Sequence, residues 1–295
     1  MLAGQHRLGL ALALVTAVGW GLNWPTMKFL LSEWPPLFAR GLSGLVAATA
    51  LATIAAVRGE RLAVPQRLWP RLAAASFTNV FAWMGFTTVA MRWLDAGESA
   101  LLVYTMPIWA LMFAWPFQGR RPDGASLLAL ALGMGGVAIL FAPGAAGPVA
   151  AFSGERGLGI ALLLAAAVSF ALGTVAWRTP LALPALTSTA WQVGLGCLPM
   201  LVLGLLLERD EIGPLSTLGV AAMAYMTVIP MAICYLSWFA ALRRVSGTTA
   251  SMATLLVPVI GVMSAAALLG EPFGPRQWLA LVLTLSGVAL AVRQR

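Results

Sequence analysis

The sequence predicts an all-α integral membrane protein of ten transmembrane helices, arranged as two inverted five-helix repeats. Composition, the spacing of apolar stretches and a self-similarity at fixed offset carry this expectation. Of 295 residues, 60% are hydrophobic and 9% charged, against about one quarter charged in a soluble domain. Ten apolar stretches are long enough to cross, or nearly cross, a hydrocarbon core about 30 Å thick. A shift of 151 positions without a gap lays Pro107 on Pro258, Gly119 on Gly270, and Gly136-Val137-Ala138 on Gly287-Val288-Ala289.

The first stretch, Leu8 to Met27, carries no charge before Lys28. It runs on through Trp20, Asn23, Trp24 and Pro25 without a small-residue cleavage site, so it reads as a helix rather than a signal peptide. The pattern then predicts spans over Leu37–Val57, Trp69–Met91, Gly97–Phe117, Ala125–Phe141, Gly157–Trp177, Thr187–Leu207, Leu218–Ala240, Thr248–Leu269 and Gln277–Val292. Turn residues or charges separate them, among them Pro35-Pro36, Arg120-Arg121-Pro122-Asp123 and Gly270-Glu271-Pro272. The expected repeats are residues 1–145 and 155–295. Five spans per repeat, an odd number, force the copies into the membrane in opposite orientations, with a ligand site at the midplane between them. Pro107 and Pro258 each remove a backbone hydrogen bond and clash with the preceding turn, so a kink is expected at the same depth in both copies. With Gly97 and Gly247 they are the candidate hinge and gating positions.

Charge sets the expected orientation. With ten spans both termini share one side, which collects twelve of the eighteen basic residues and only Glu60 and Asp123 among the acidic ones. Such a side is cytoplasmic by the positive-inside rule. The basic residues are spread along the chain, which argues against a nucleic-acid partner despite the +8 charge. The single histidine, His6, and the isolated Cys197 and Cys234 assemble no disulfide framework, metal cluster or nucleophile. No carboxylate falls in the middle of a span, so the carboxylate proton relay of many pumps has no candidate. No phosphate-binding loop signals ATP use. No enzyme, metal or cofactor is expected; the partners are the bilayer and a small-molecule substrate.

The run from Ser246 to Val259, then Leu269-Gly270-Glu271-Pro272, Trp278 and Ser286-Gly287-Val288, resembles the second EamA-type repeat of the drug/metabolite transporter superfamily. In the first repeat Trp20-Gly21, Ala39-Arg40 and Ala96-Gly97 through Pro107 fit the pattern, whereas Gly119-Arg120-Arg121-Pro122 replaces the usual Gly-Glu-Pro turn. The resemblance implies a ten-helix secondary transporter of the bacterial inner membrane, its cavity lined by helices one, three, four, six, eight and nine. Within the superfamily the chain most resembles bacterial amino-acid exporters, the aromatic branch in particular. Export or uptake of a drug or another neutral metabolite, and a lipid-handling or accessory role, stand as alternatives.

Helical spacing supplies the cavity candidates. Asn79, Trp83 and Phe86 fall on one α-helical face, as do Met231, Tyr235 and Trp238, and a shift of 152 aligns the two triplets. Trp20, Asn23 and Trp24 share a face of the first helix, and Trp177 lies on the matching face of the sixth. Tyr104 precedes Pro107 by three residues. Rings with a few amides and hydroxyls suit a ligand that is part apolar and part dipolar; lipid-facing or interfacial rings are the competing reading. For Lys28 and Arg40, with Glu33 between them, a local ion pair or snorkelling is preferred over substrate carboxylate binding.

Overall fold

In the computed structural model, described for residues 2–119, 121–140, 154–176, 181–245, 249 and 253–293, the described residues are helical with no strand. Ten main helices follow one another: α1 (Leu2–Leu30), α2 (Pro36–Val57), α3 (Gln66–Ala90), α4 (Ala96–Phe117) and α5 (Gly124–Leu140). The second half contributes α6 (Gly154–Ala176), α7 (Ala185–Leu207), α8 (Thr217–Leu242), α9 (Leu256–Leu269) and α10 (Pro275–Arg293). Eight are long and apolar enough to cross a membrane, while α5 and α9 are shorter, at 17 and 14 residues. Trp177 and Gly247 lie outside the described residues.

The halves interlock through equivalent helices. Along α2, Gly41 and Gly44 bring the backbone against Leu201 and Cys197 of α7, and Gly204 of α7 lies on Phe38 of α2. A Cβ on Gly204 would stand 2.5 Å from the Phe38 nitrogen. The α5–α10 pair repeats the device: Gly136 abuts Thr284 and the Ala280 carbonyl, and Gly287 abuts the Ala129 carbonyl and Gly133. In lipid there is little hydrophobic drive between helices, so such close backbone approach supplies the packing. The remaining contacts follow the same exchange, α1 lying on α9 and α8 as α6 lies on α4 and α3.

The helices that enclose the centre are irregular, and at matching places. Phe77–Gly85 of α3 and Ile229–Ile233 of α8 wind as π-helix, starting 152 positions apart. The helix of α4 breaks at Tyr104-Thr105, just before Pro107, and the chain breaks at Leu255 before α9 and Pro258. Both helices end on a left-handed glycine, Gly119 at φ 69° and Gly270 at φ 70°, a conformation that side chains with a Cβ rarely adopt.

Carboxylates of one half cap helix starts of the other. Glu208, at the end of α7, accepts hydrogen bonds from the Leu37 and Phe38 amides at the start of α2, at 3.3 and 2.9 Å. Reciprocally, Glu60, in the turn after α2, accepts from the Thr187 amide and hydroxyl at the start of α7, both at 3.0 Å. Glu271 accepts from the Ala96 and Gly97 amides that open α4, at 2.7 and 2.9 Å, and Glu33 from Ser216 before α8. Burial pushes the Glu271 carboxyl up from its ordinary range, while its two amide bonds pull it back. Arg92 bridges Glu208 and Glu211 at 3.5 and 2.8 Å, and Arg156 pairs with Glu98 at 2.7 Å.

Two outcomes follow for stability. Gly136→Leu, which must push the α10 backbone away, will cost about 1–3 kcal/mol, read as a lower melting temperature in detergent. Gly135→Ala, on the same helix with nothing within 4 Å, will leave it unchanged or raise it. Glu208→Ala strips two partly buried amides of their acceptor and will cost about 1–2 kcal/mol by the same assay; Glu208→Gln, which keeps an oxygen there, will lose less.

Candidate functional site

The irregular segments converge on a cavity at the junction of the two halves, with a volume of about 130 Å³. Helix α1 contributes Trp20, Asn23 and Trp24; α3 contributes Trp83 and Met84; α4 contributes Tyr104 and Met106. From the other half come Phe170 of α6 and Pro230, Met231 and Tyr235 of α8. Arg40 of α2 completes the wall and is its charged member.

The rings brace one another. Trp24 and Trp83 both stand edge-on to Tyr104, with centroids 6.5 and 6.3 Å away, and Trp83 lies 4.7 Å from Phe170. Across the cavity Trp20 meets Tyr235 at 5.6 Å. These are the edge and tilted geometries that aromatic pairs prefer. The Trp20 indole N–H donates to the Pro230 carbonyl at 3.1 Å, within the π-helical segment of α8. Tyr225 donates to the Gly19 carbonyl at 2.9 Å, and Thr16 to the Cys234 carbonyl at 3.2 Å, so α8 is sewn to α1 beside the cavity.

Of the residues expected from spacing, Trp20, Asn23, Trp24, Trp83, Tyr104 and Tyr235 meet at this wall. Asn79, Phe86 and Trp238 do not. Asn79 accepts from Thr78 at 3.3 Å and is packed against Gly173 of α6. Phe86 packs edge-on to Phe81, and Trp238 leans on Trp20 from behind at 6.0 Å. For Asn79 and Phe86 the cause is the π-helical winding of Phe77–Gly85: its wider turns rotate each residue by less than an α-helix does, so positions i, i+4 and i+7 part company. Pro107 and Pro258 lie next to the breaks in their helices, Pro107 one turn after Tyr104.

The charged residues also rearrange. Lys28 donates to the Met91 and Leu94 carbonyls at 2.6 and 2.8 Å, closing the end of α3. Glu33 caps Ser216 rather than pairing with Arg40. Arg40 neither snorkels nor forms a local ion pair: it is 6% exposed, and its Nε and Nη1 have no hydrogen-bond partner. Sequence spacing missed its place at the cavity because Arg40 sits only one turn into α2. The adjacent Gly41 and Gly44, which seat α2 on α7, turn that face inward.

Comparison with known proteins agrees with this architecture. A Bacillus subtilis protein described as the uncharacterized transporter YvbV is 26% identical over 97% of this chain and 92% of its own length. An Escherichia coli protein described as a probable amino-acid metabolite efflux pump is 30% identical over 95% of this chain and 93% of its own. A crystal structure with 20% identity superposes with a TM-score of 0.64, covering 98% of this chain and 96% of that one, and so shares the fold. The sequence pattern described as the EamA-like transporter family matches twice, over residues 7–142 and 157–293. The chain is therefore a multi-pass membrane protein that belongs to the EamA-like transporter family.

Proposed function

We propose that the protein is a secondary carrier that exports bulky neutral amino acids, aromatic ones foremost, across the bacterial inner membrane by alternating access, with both termini in the cytoplasm. The observation that carries this reading is the ring-lined cavity enclosed between the halves, whose described lining holds six aromatic side chains and no carboxylate. Aromatic rings and methionines offer an apolar, polarizable surface to a ligand side chain. The printed name of the Escherichia coli relative, an amino-acid metabolite efflux pump, supports the same class.

The mechanism follows from the cavity's size and from the breaks around it. At about 130 Å³ the cavity is tighter than the ~300–1,000 Å³ typical of ligand sites. Loading an aromatic amino acid therefore requires the halves to part. Tyr104-Thr105 before Pro107 and Leu255 before Pro258 are helix interruptions at equivalent places in the two repeats, and on this reading they supply the flexing points. Opening at Gly97 requires release of the Glu271 carboxylate from the start of α4. Exchange of conformation between the repeats alternates which side is open.

The test is counterflow in liposomes that contain only this protein, preloaded with unlabelled phenylalanine or tryptophan and given labelled substrate outside. Saturable accumulation is expected, independent of an imposed proton gradient. Trp83→Ala is expected to lower kcat/KM about tenfold or more, with insertion unchanged, whereas Val46→Ala, at an exposed position on α2, transports normally. Absence of flux for either amino acid from folded protein refutes the substrate class and brings forward a drug, another neutral metabolite or a lipid.

A further inference from the structure

Two side chains of this cavity wall hold polar atoms that no partner satisfies. Arg40 brings a fixed cation with five N–H donors, is 6% exposed, and leaves Nε and Nη1 without acceptors. The ion pairs among the described residues, Arg92 with Glu208 and Glu211 and Arg156 with Glu98, leave it out. The ionisable groups that act on it are Cys197 and Tyr235, and neither is a carboxylate. Asn23 has the opposite deficit: its Oδ1 is buried and accepts no hydrogen bond. A buried donor or acceptor without a partner is destabilising, and an uncompensated buried cation more so. Within a membrane span such a charge marks a functional site by default.

We infer that Arg40 and Asn23 are the two poles of a zwitterion site, the guanidinium taking a carboxylate and the Asn23 amide oxygen taking an α-ammonium, with the ligand side chain laid among Trp24, Trp83, Tyr104 and Phe170. This rests on the amino-acid reading above and goes beyond it by naming the groups that read the backbone of the substrate. One arginine in an otherwise uncharged wall fits a single carboxylate, which it can grip with two parallel N–H bonds; a phosphate would draw several basic groups. Each pole is missing what the other end of an amino acid brings. The rings need not match one side chain closely, so recognition of the shared backbone would serve several bulky substrates.

The experiment is equilibrium binding of labelled L-phenylalanine, phenethylamine and 3-phenylpropionate to the purified full-length protein, with melting temperatures taken in parallel. Arg40→Gln is expected to weaken phenylalanine and 3-phenylpropionate by about tenfold to a hundredfold, the range of one lost charge-assisted pair, and to leave phenethylamine unchanged. Asn23→Ala is expected to weaken phenylalanine and phenethylamine and to spare 3-phenylpropionate. Melting of the ligand-free Arg40→Gln protein should hold or rise, because an uncompensated buried charge has gone; Arg40→Lys, with a compact ammonium, should recover only part of the binding. Wild-type affinity for phenylalanine in Arg40→Gln overturns the inference and leaves amino-acid transport standing. Arg40-dependent binding of 3-phenylpropionate with none of phenylalanine upholds the carboxylate pole while overturning both the Asn23 pole and the amino-acid reading.

Discussion

Every helix that starts or breaks in an apolar medium exposes amides and carbonyls that no water will satisfy. The bundle depends on meeting that constraint from the opposite repeat. Glu208 closes the start of α2, and Glu60 closes the start of α7, so the two helices that pack most intimately are also tied at each end by the other half's carboxylate. Glycines at their interface let the backbones approach, and the caps fix the register at which they do so. The α2–α7 pair thereby becomes a stiff beam, against which the irregular helices α3, α4 and α8 can bend.

The two ends of the molecule are not equivalent in this respect. Glu271 spans two amides at the start of α4, and Glu98 and Arg156 pair nearby. The aligned turn of the first repeat reads Gly119-Arg120-Arg121, with basic residues in place of the acidic one. A carboxylate can accept from helix-opening amides and complement the positive end of the helix dipole, whereas a guanidinium can do neither. If the protein alternates access as proposed, the repeats differ in the chemistry available to hold each side shut. A carrier with identical gates would spend equal time open to either side; different gates let one side dominate.

Much of the architecture is legible in the residues themselves. Hydropathy gives the spans, and the paired prolines mark where helices break. Trp20, Asn23 and Trp24 reach the cavity because α1 is regular through that level, so α-helical spacing describes its faces. The same arithmetic misplaces Asn79 and Phe86, because nine residues of α3 wind as π-helix and no residue type announces it. Arg40 was hidden for another reason. Its depth in the sequence is that of a helix end, where a long cation ordinarily snorkels, and only the close seating of Gly41 and Gly44 on α7 turns it inward.

The placement of Arg40 bears on how transport would be driven. The guanidinium belongs to the protein and does not cross the membrane with the ligand, and a zwitterion carries no net charge, so the membrane potential does no work on the loaded step. The described cavity wall holds no carboxylate to carry a proton through the cycle. On the proposed reading, the substrate's own gradient drives the cycle. A bare cation closed into a low-dielectric cavity is costly, and a carboxylate on Arg40 offsets that cost. Closure around a bound amino acid is then easier than closure around an empty cavity. A carrier built on this rule exchanges one amino acid for another faster than it releases one and returns empty, which is the kinetic behaviour that a single buried arginine, left without an acid, would impose.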